Sequence, residues 1–117
     1  KTLFPYTTLF RSVIIKAYFD SKWMFDMVRA LGFKTWGYAY NSDISKTAYP
    51  DFLKGNICDI LSMEFDAPQT TWDPIKASGL PTVAHIPATL DNLKVGWSRG
   101  AMGAIVAGVA ASCERAA

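Results

Sequence analysis

From Val13 onward, short β-branched or aromatic runs alternate with helix-like stretches at a nearly fixed interval. The runs VIIKAY, KTWGYAY, ICDILSMEF, PTVAHIP and GAIVAGV begin at residues 13, 34, 57, 81 and 103, giving intervals of 21, 23, 24 and 22 residues. Between the first two, Trp23, Met24, Met27, Val28 and Leu31 fall at helical spacing. That predicts a helix, packed on the sheet through Trp23, Met24 and Met27, capped by Asp20 or Ser21 and stopped at Gly32. A short helix is expected near Pro50–Lys54. TWDPIKASG predicts another with Pro74 in its first turn and Gly79 past its end, and TLDNLKVGWSRG a last one.

Strands and helices alternating at this spacing imply parallel strands joined by right-handed crossovers. A doubly wound open sheet and a (β/α)8 barrel both satisfy that local pattern. The uniform interval and the lack of a Gly-rich dinucleotide fingerprint after any strand favour the barrel. The expected fold class is therefore α/β: the C-terminal five strand–helix units of a truncated (β/α)8 TIM barrel, occupying residues 13–117.

Residues 1–12 stand apart. They have no amphipathic period or capping signal, and Pro5 interrupts the only strand-like alternation. Thr2–Ser12, TLFPYTTLFRS, resembles the translation of a sequencing adapter and is set aside as a non-native segment joined to a reading frame at Val13. On that view an upstream part of the protein precedes Val13. The formal charge of +2 includes Lys1 and Arg11. Without them acids and bases balance, so charge gives no argument for nucleic acid or an anionic membrane. Half the residues are apolar and 19% are charged, a globular and not a disordered composition. Cys58 and Cys113 have no Cys-x-x-Cys spacing and are expected to be free, buried thiols. Gly100–Ser112 is too short to span a membrane and reads as a buried strand.

Active sites of such barrels lie at the C-terminal ends of the strands, and alternate residues face the interior. That parity groups Ile14, Lys16 and Tyr18; Trp36, Tyr38 and Tyr40; Ser62, Glu64 and Asp66; and Val83 and His85. Lys16, Glu64 and His85 are thus expected to converge on one mouth walled by Trp36, Tyr38 and Tyr40. Lysine suits a phosphate, a carboxylate suits a cation or a proton transfer, and the aromatic groups suit apolar or sugar faces. Glu64 and His85 are the candidate catalytic residues, and Lys16, Trp36, Tyr38 and Tyr40 the candidate substrate-binding ones. Each also has a plain structural reading. Lys16 would be a rim residue, Glu64 and Asp66 a solvated strand end, His85 a hydrogen-bonded core histidine, and the aromatic residues packing.

The stretch GLPTVAHIPATLDNLKVGWSRGAMGAIVAGV resembles the closing two strands of glycerophosphodiester phosphodiesterases, and GFKTWGYAYNSDI and DILSMEFDA resemble their strand modules. The likeness covers most of Val13–Val109. It implies a phosphatidylinositol-phospholipase-like TIM barrel that cleaves a glycerophosphodiester with two histidines and a divalent cation, calcium or magnesium, held by carboxylates. The expected partners are a small phosphodiester substrate and the N-terminal half of the same barrel, with no nucleic acid and no membrane span in the visible chain. Lys16 is the one functional residue the likeness carries over, as a phosphate contact. Ile14 stands where a cation-binding carboxylate is expected, His85 where the family has Trp, and Ala88 where it has Asn. As a fragment the chain is expected to be inactive alone. The alternatives are a flavin- or phosphate-binding barrel enzyme, suggested by the Gly-rich last strand, and a non-catalytic barrel that binds a headgroup or carbohydrate.

Overall fold

A computed structural model describes residues 13–106. Five parallel strands, β1 (Ile14–Tyr18), β2 (Lys34–Tyr38), β3 (Ile60–Glu64), β4 (Thr82–His85) and β5 (Gly103–Ile105), form one sheet in sequence order. They are joined by helices α1 (Lys22–Ala30), α2 (Tyr49–Leu53), α3 (Gln69–Ala77) and α4 (Leu90–Arg99), with a 3-10 turn at Asn41–Ser45 before α2. All five strands start within three residues of the positions their sequence predicts.

The strand order separates the two architectures that the spacing left open. A doubly wound sheet reverses direction at a switch point and places helices on both faces. Here the order never reverses, and right-handed crossovers running one way put every helix on the same side. Packing agrees with that placement. Thr35, Gly37, Leu61, Met63, Thr82 and Ala84 alternate along the helix-facing side and are all buried. Phe25 of α1, Phe52 of α2 and Trp72 and Ile75 of α3 complete the core with Phe19 and Cys58. The chain is thus a singly wound α/β unit, layered helix on sheet, with its second sheet face left uncovered by its helices.

Two close approaches fix the helix layer. A Cβ on Gly37 would lie 2.6 Å from Cys58 Sγ and 3.3 Å from both Phe52 Cε1 and Phe19 Cα, so the Phe52 ring of α2 and the Cys58 thiol pack directly on the β2 backbone. A Cβ on Gly96 would lie 3.0 Å from Ala84 Cβ, which seats α4 directly on β4. The α4 ends carry their expected signals: Thr89 Oγ1 accepts from Asn92 N at 3.1 Å, and Gly100 closes the helix at φ 111°. At the N-terminal edge, Asp59 accepts from Thr35 N at 2.8 Å, Thr35 Oγ1 at 2.9 Å and Arg29 Nη2 at 3.0 Å, tying α1, β2 and the entry to β3.

Three expectations about the helices need correction. Trp23 and Met27 do not pack on the sheet: they are 73% and 54% exposed, Leu31 on the same stripe is 72% exposed, and α1 turns Phe25 inward instead, with Met24 and Val28 half-buried. Helix α3 begins at Gln69, five residues before Pro74, so the proline lies in the helix interior and not in the first turn. Ser21 precedes α1 but makes no capping side-chain bond. Cys58 is free and buried as expected, and burial pushes its thiol up to about 12. The adapter-like segment, Cys113 and the end of the last predicted strand lie outside the described residues.

Candidate functional site

The uncovered face carries the residues that parity grouped. Register aligns Lys16 with Trp36 and Ile60, then Tyr18 with Tyr38, Ser62 and Val83, then Glu64 with His85 and Ile105. These rows climb towards the C-terminal ends of the strands, and apart from Val83 and Ile105 their upper members are polar or aromatic where a purely structural layer would be branched aliphatic.

Lys16 Nζ lies 5.3 Å from the Trp36 ring centroid and 5.1 Å from that of Tyr38, within cation–π range of both. The Tyr38 ring in turn meets His85 edge-on at 6.2 Å, and Tyr40 meets it at 5.4 Å, each at 83°. Lys16, Trp36, Tyr38, Tyr40 and His85 therefore form one contiguous chain of contacts. His85 is 5% exposed and shares a 2.7 Å hydrogen bond through Nδ1 with Ser62 Oγ, itself fully buried. Its other nitrogen, Nε2, is buried without a hydrogen-bond partner among the described residues, as is Trp36 Nε1. Burial, reinforced by the Lys16 charge and opposed by Asp66, lowers the His85 pKa to about 4. The imidazole is accordingly neutral at physiological pH.

Glu64 stands beside His85 in the register, but its Oε2 accepts from Asn41 N at 2.8 Å. Asn41 Oδ1 takes a 2.6 Å bond from Thr71 Oγ1, so the carboxylate anchors the β2–α2 loop between β3 and α3. A second cluster holds the same loop. Asp43, 3% exposed, accepts from the Tyr18 hydroxyl and from Tyr40 N at 2.8 Å, and pairs with Lys46 at 3.1 Å. Burial alone would raise the Asp43 carboxyl; the bonds from Tyr18 and Tyr40 and the Lys46 ammonium hold it below its usual range. Asp43 thereby fixes the backbone of Tyr40, whose ring flanks His85.

Parity put Ser62 on the shared face but did not pair it with His85, a diagonal contact between β3 and β4. It also missed Asn41 and Asp43, which the loop after β2 brings to the site, and Thr71 of α3, which bonds Asn41. The only legible signal was Ser62 itself, a polar residue in a fully buried strand position. An open hollow of about 370 Å³ lined by Lys34, Cys58, Asp59 and Leu80 lies at the opposite, N-terminal end of the sheet, away from this cluster.

The cation that the resemblance implies does not fit the described residues: no three His, Cys, Asp or Glu side chains among them converge to hold a metal ion. Such ligands would have to come from outside the described residues. None of the described helices is long and apolar enough to cross a membrane. Neither the family models nor the curated proteins searched include a match to this chain.

Proposed function

We propose that this chain is the C-terminal five units of a (β/α)8 barrel that hydrolyses phosphoric diesters of the glycerophosphodiester type. The observation that carries the reading is the Lys16 ammonium on the uncovered face of a singly wound parallel sheet, joined through Tyr38 to His85 at the strand ends. In this reading Lys16 binds a phosphoryl oxygen, a charge-assisted contact of the kind such groups use. Trp36, Tyr38 and Tyr40 wall the glycerol or headgroup portion. Glu64 holds the β2–α2 loop through Asn41, and in this reading its second carboxylate oxygen, which makes no hydrogen bond among the described residues, serves the substrate. His85, neutral, hydrogen-bonds the reacting group. Remaining acid–base groups come from the upstream half of the barrel, as the likeness to the phosphodiesterases implies.

The test is to express the reading frame extended upstream of Val13 and assay glycerophosphocholine hydrolysis with calcium or magnesium present. Turnover is expected, and Lys16→Met should lower kcat/KM at least tenfold, since a hydrogen bond to a charged group is worth about 1.5–3 kcal/mol. An extended protein that hydrolyses no phosphodiester overturns the proposal. Ile14, in place of a cation-binding carboxylate, favours a second reading: a barrel that binds the headgroup without cleaving it, which calorimetry would show as binding without turnover.

A further inference from the structure

The Ser62–His85 pair is chemically asymmetric. Ser62 is fully buried, and His85 Nδ1 is the one hydrogen-bond partner of its Oγ among the described residues. If Nδ1 carried the ring proton, the serine hydroxyl hydrogen would be left buried without an acceptor. If the hydroxyl donates to Nδ1, the serine is satisfied and the ring proton moves to Nε2, the nitrogen that has no partner. Either arrangement leaves one buried donor without an acceptor; the second puts it on the ring, beside the Lys16 ammonium, where an oxygen of a ligand on this face would satisfy it. Trp36 Nε1, the other partnerless nitrogen on this face, is a donor and nothing else. With the exposed Lys16 ammonium, this side of the sheet holds three donors, two of them buried, that acceptor oxygens would satisfy.

We infer that Ser62 holds His85 in its Nε2–H tautomer, so that the ring presents a neutral N–H donor, beside Lys16, to an oxygen of an anionic ligand on the uncovered face. The inference rests on the reading of that face as the ligand site. It makes Ser62 a positioning residue and His85 an oxyanion contact, a donor where a general base would need a bare nitrogen. The charged and titratable groups around the ring are Lys16 from β1, Tyr38 from β2, Tyr40 from the following loop, and Glu64 and Asp66 from β3 and its turn. Burial and Lys16 both favour the neutral ring, and Asp66 opposes them.

His85 is the only histidine in the sequence, so the imidazole nitrogens of the 15N-labelled chain can be read without assignment ambiguity. At pH 7 the expected spectrum has a protonated Nε2 and an unprotonated, hydrogen-bonded Nδ1. Ser62→Thr should keep that pattern, whereas Ser62→Ala should give a mixture of tautomers. Inorganic phosphate should shift Nε2 in the wild type, and Lys16→Met should weaken phosphate binding about tenfold. A proton found on Nδ1, or an Nε2 resonance that phosphate leaves unmoved, overturns the inference whether or not the serine variants fold. If the tautomer and phosphate response hold but the extended protein cleaves no phosphodiester, the catalytic reading fails and this one stands. Hydrolysis by a protein whose proton sits on Nδ1 would instead retain the catalytic reading and remove the donor role of His85.

Discussion

Burial, with the Lys16 charge behind it, brings His85 down to about 4 from an ordinary value of 6.5. An unfolded chain therefore binds a proton at this residue well before the folded chain does. The stability contributed by the neutral ring is complete above about 6.5 and drains away as pH falls towards 4. Urea midpoints should drop between about pH 7.5 and pH 5, and His85→Gln should flatten that interval. Equal slopes in the two proteins would remove His85 as the cause. The carboxylates act in a separate window. Burial works against Asp59, yet the Thr35 bonds and Arg29 hold it below its usual range, so its contribution is present above the unfolded value and lost as pH falls through the folded one. Because three donors converge on it, Asp59→Ala removes the acceptor of Thr35 N and Thr35 Oγ1 and leaves Arg29 Nη2 only its 3.2 Å bond to Gly55 O. That should cost about 2 kcal/mol in chemical denaturation at pH 7.

Strands were the most legible elements, because each is a short run rich in branched or aromatic residues between turn signals, and parity along them grouped Lys16, Trp36, Tyr38 and His85 correctly on one face. Contacts set by loops were not legible: Asn41 reaches Glu64 only because the 3-10 turn folds back over β3. Helix α1 misled for a different reason. Its Trp23–Met27–Leu31 stripe has the spacing of a buried face, but Phe25 occupies the core and the stripe looks outward. Nothing in helical periodicity says which of two apolar faces meets the sheet. Gly37 illustrates how little room that interface has. Gly37→Ala would drive a methyl against Cys58 Sγ and the Phe19 backbone, which cannot both withdraw. A loss of about 1–3 kcal/mol is expected, the usual cost of overpacking, and thermal denaturation would measure it. An unchanged midpoint would mean that Cys58 and the Phe19 backbone stand farther from β2 than described.

At the scale of the molecule, the sheet that never reverses has no topological crevice of the doubly wound kind, so the proposed site falls on the uncovered face at the C-terminal strand ends. The same topology has a cost. Among the described residues β1 has a neighbour on one side only, Ile14 at its start is 45% exposed, and the helix that follows it exposes the Trp23–Met27–Leu31 stripe. An unpaired parallel edge together with exposed Trp23, Met27 and Leu31 is a template for another strand–helix unit. In the proposed barrel that unit is the preceding one of the same protein. In the isolated 117-residue chain the nearest substitute is a second copy. Sedimentation of the chain should accordingly show mass rising with concentration above its 12.9 kDa monomer. Trp23→Lys with Leu31→Lys should restore the monomer while shifting stability by no more than about 0.5 kcal/mol per site, as expected for exposed positions. A wild-type chain that stays monomeric across the accessible range would show that this margin is already closed, and the missing neighbour would lose its physical motive.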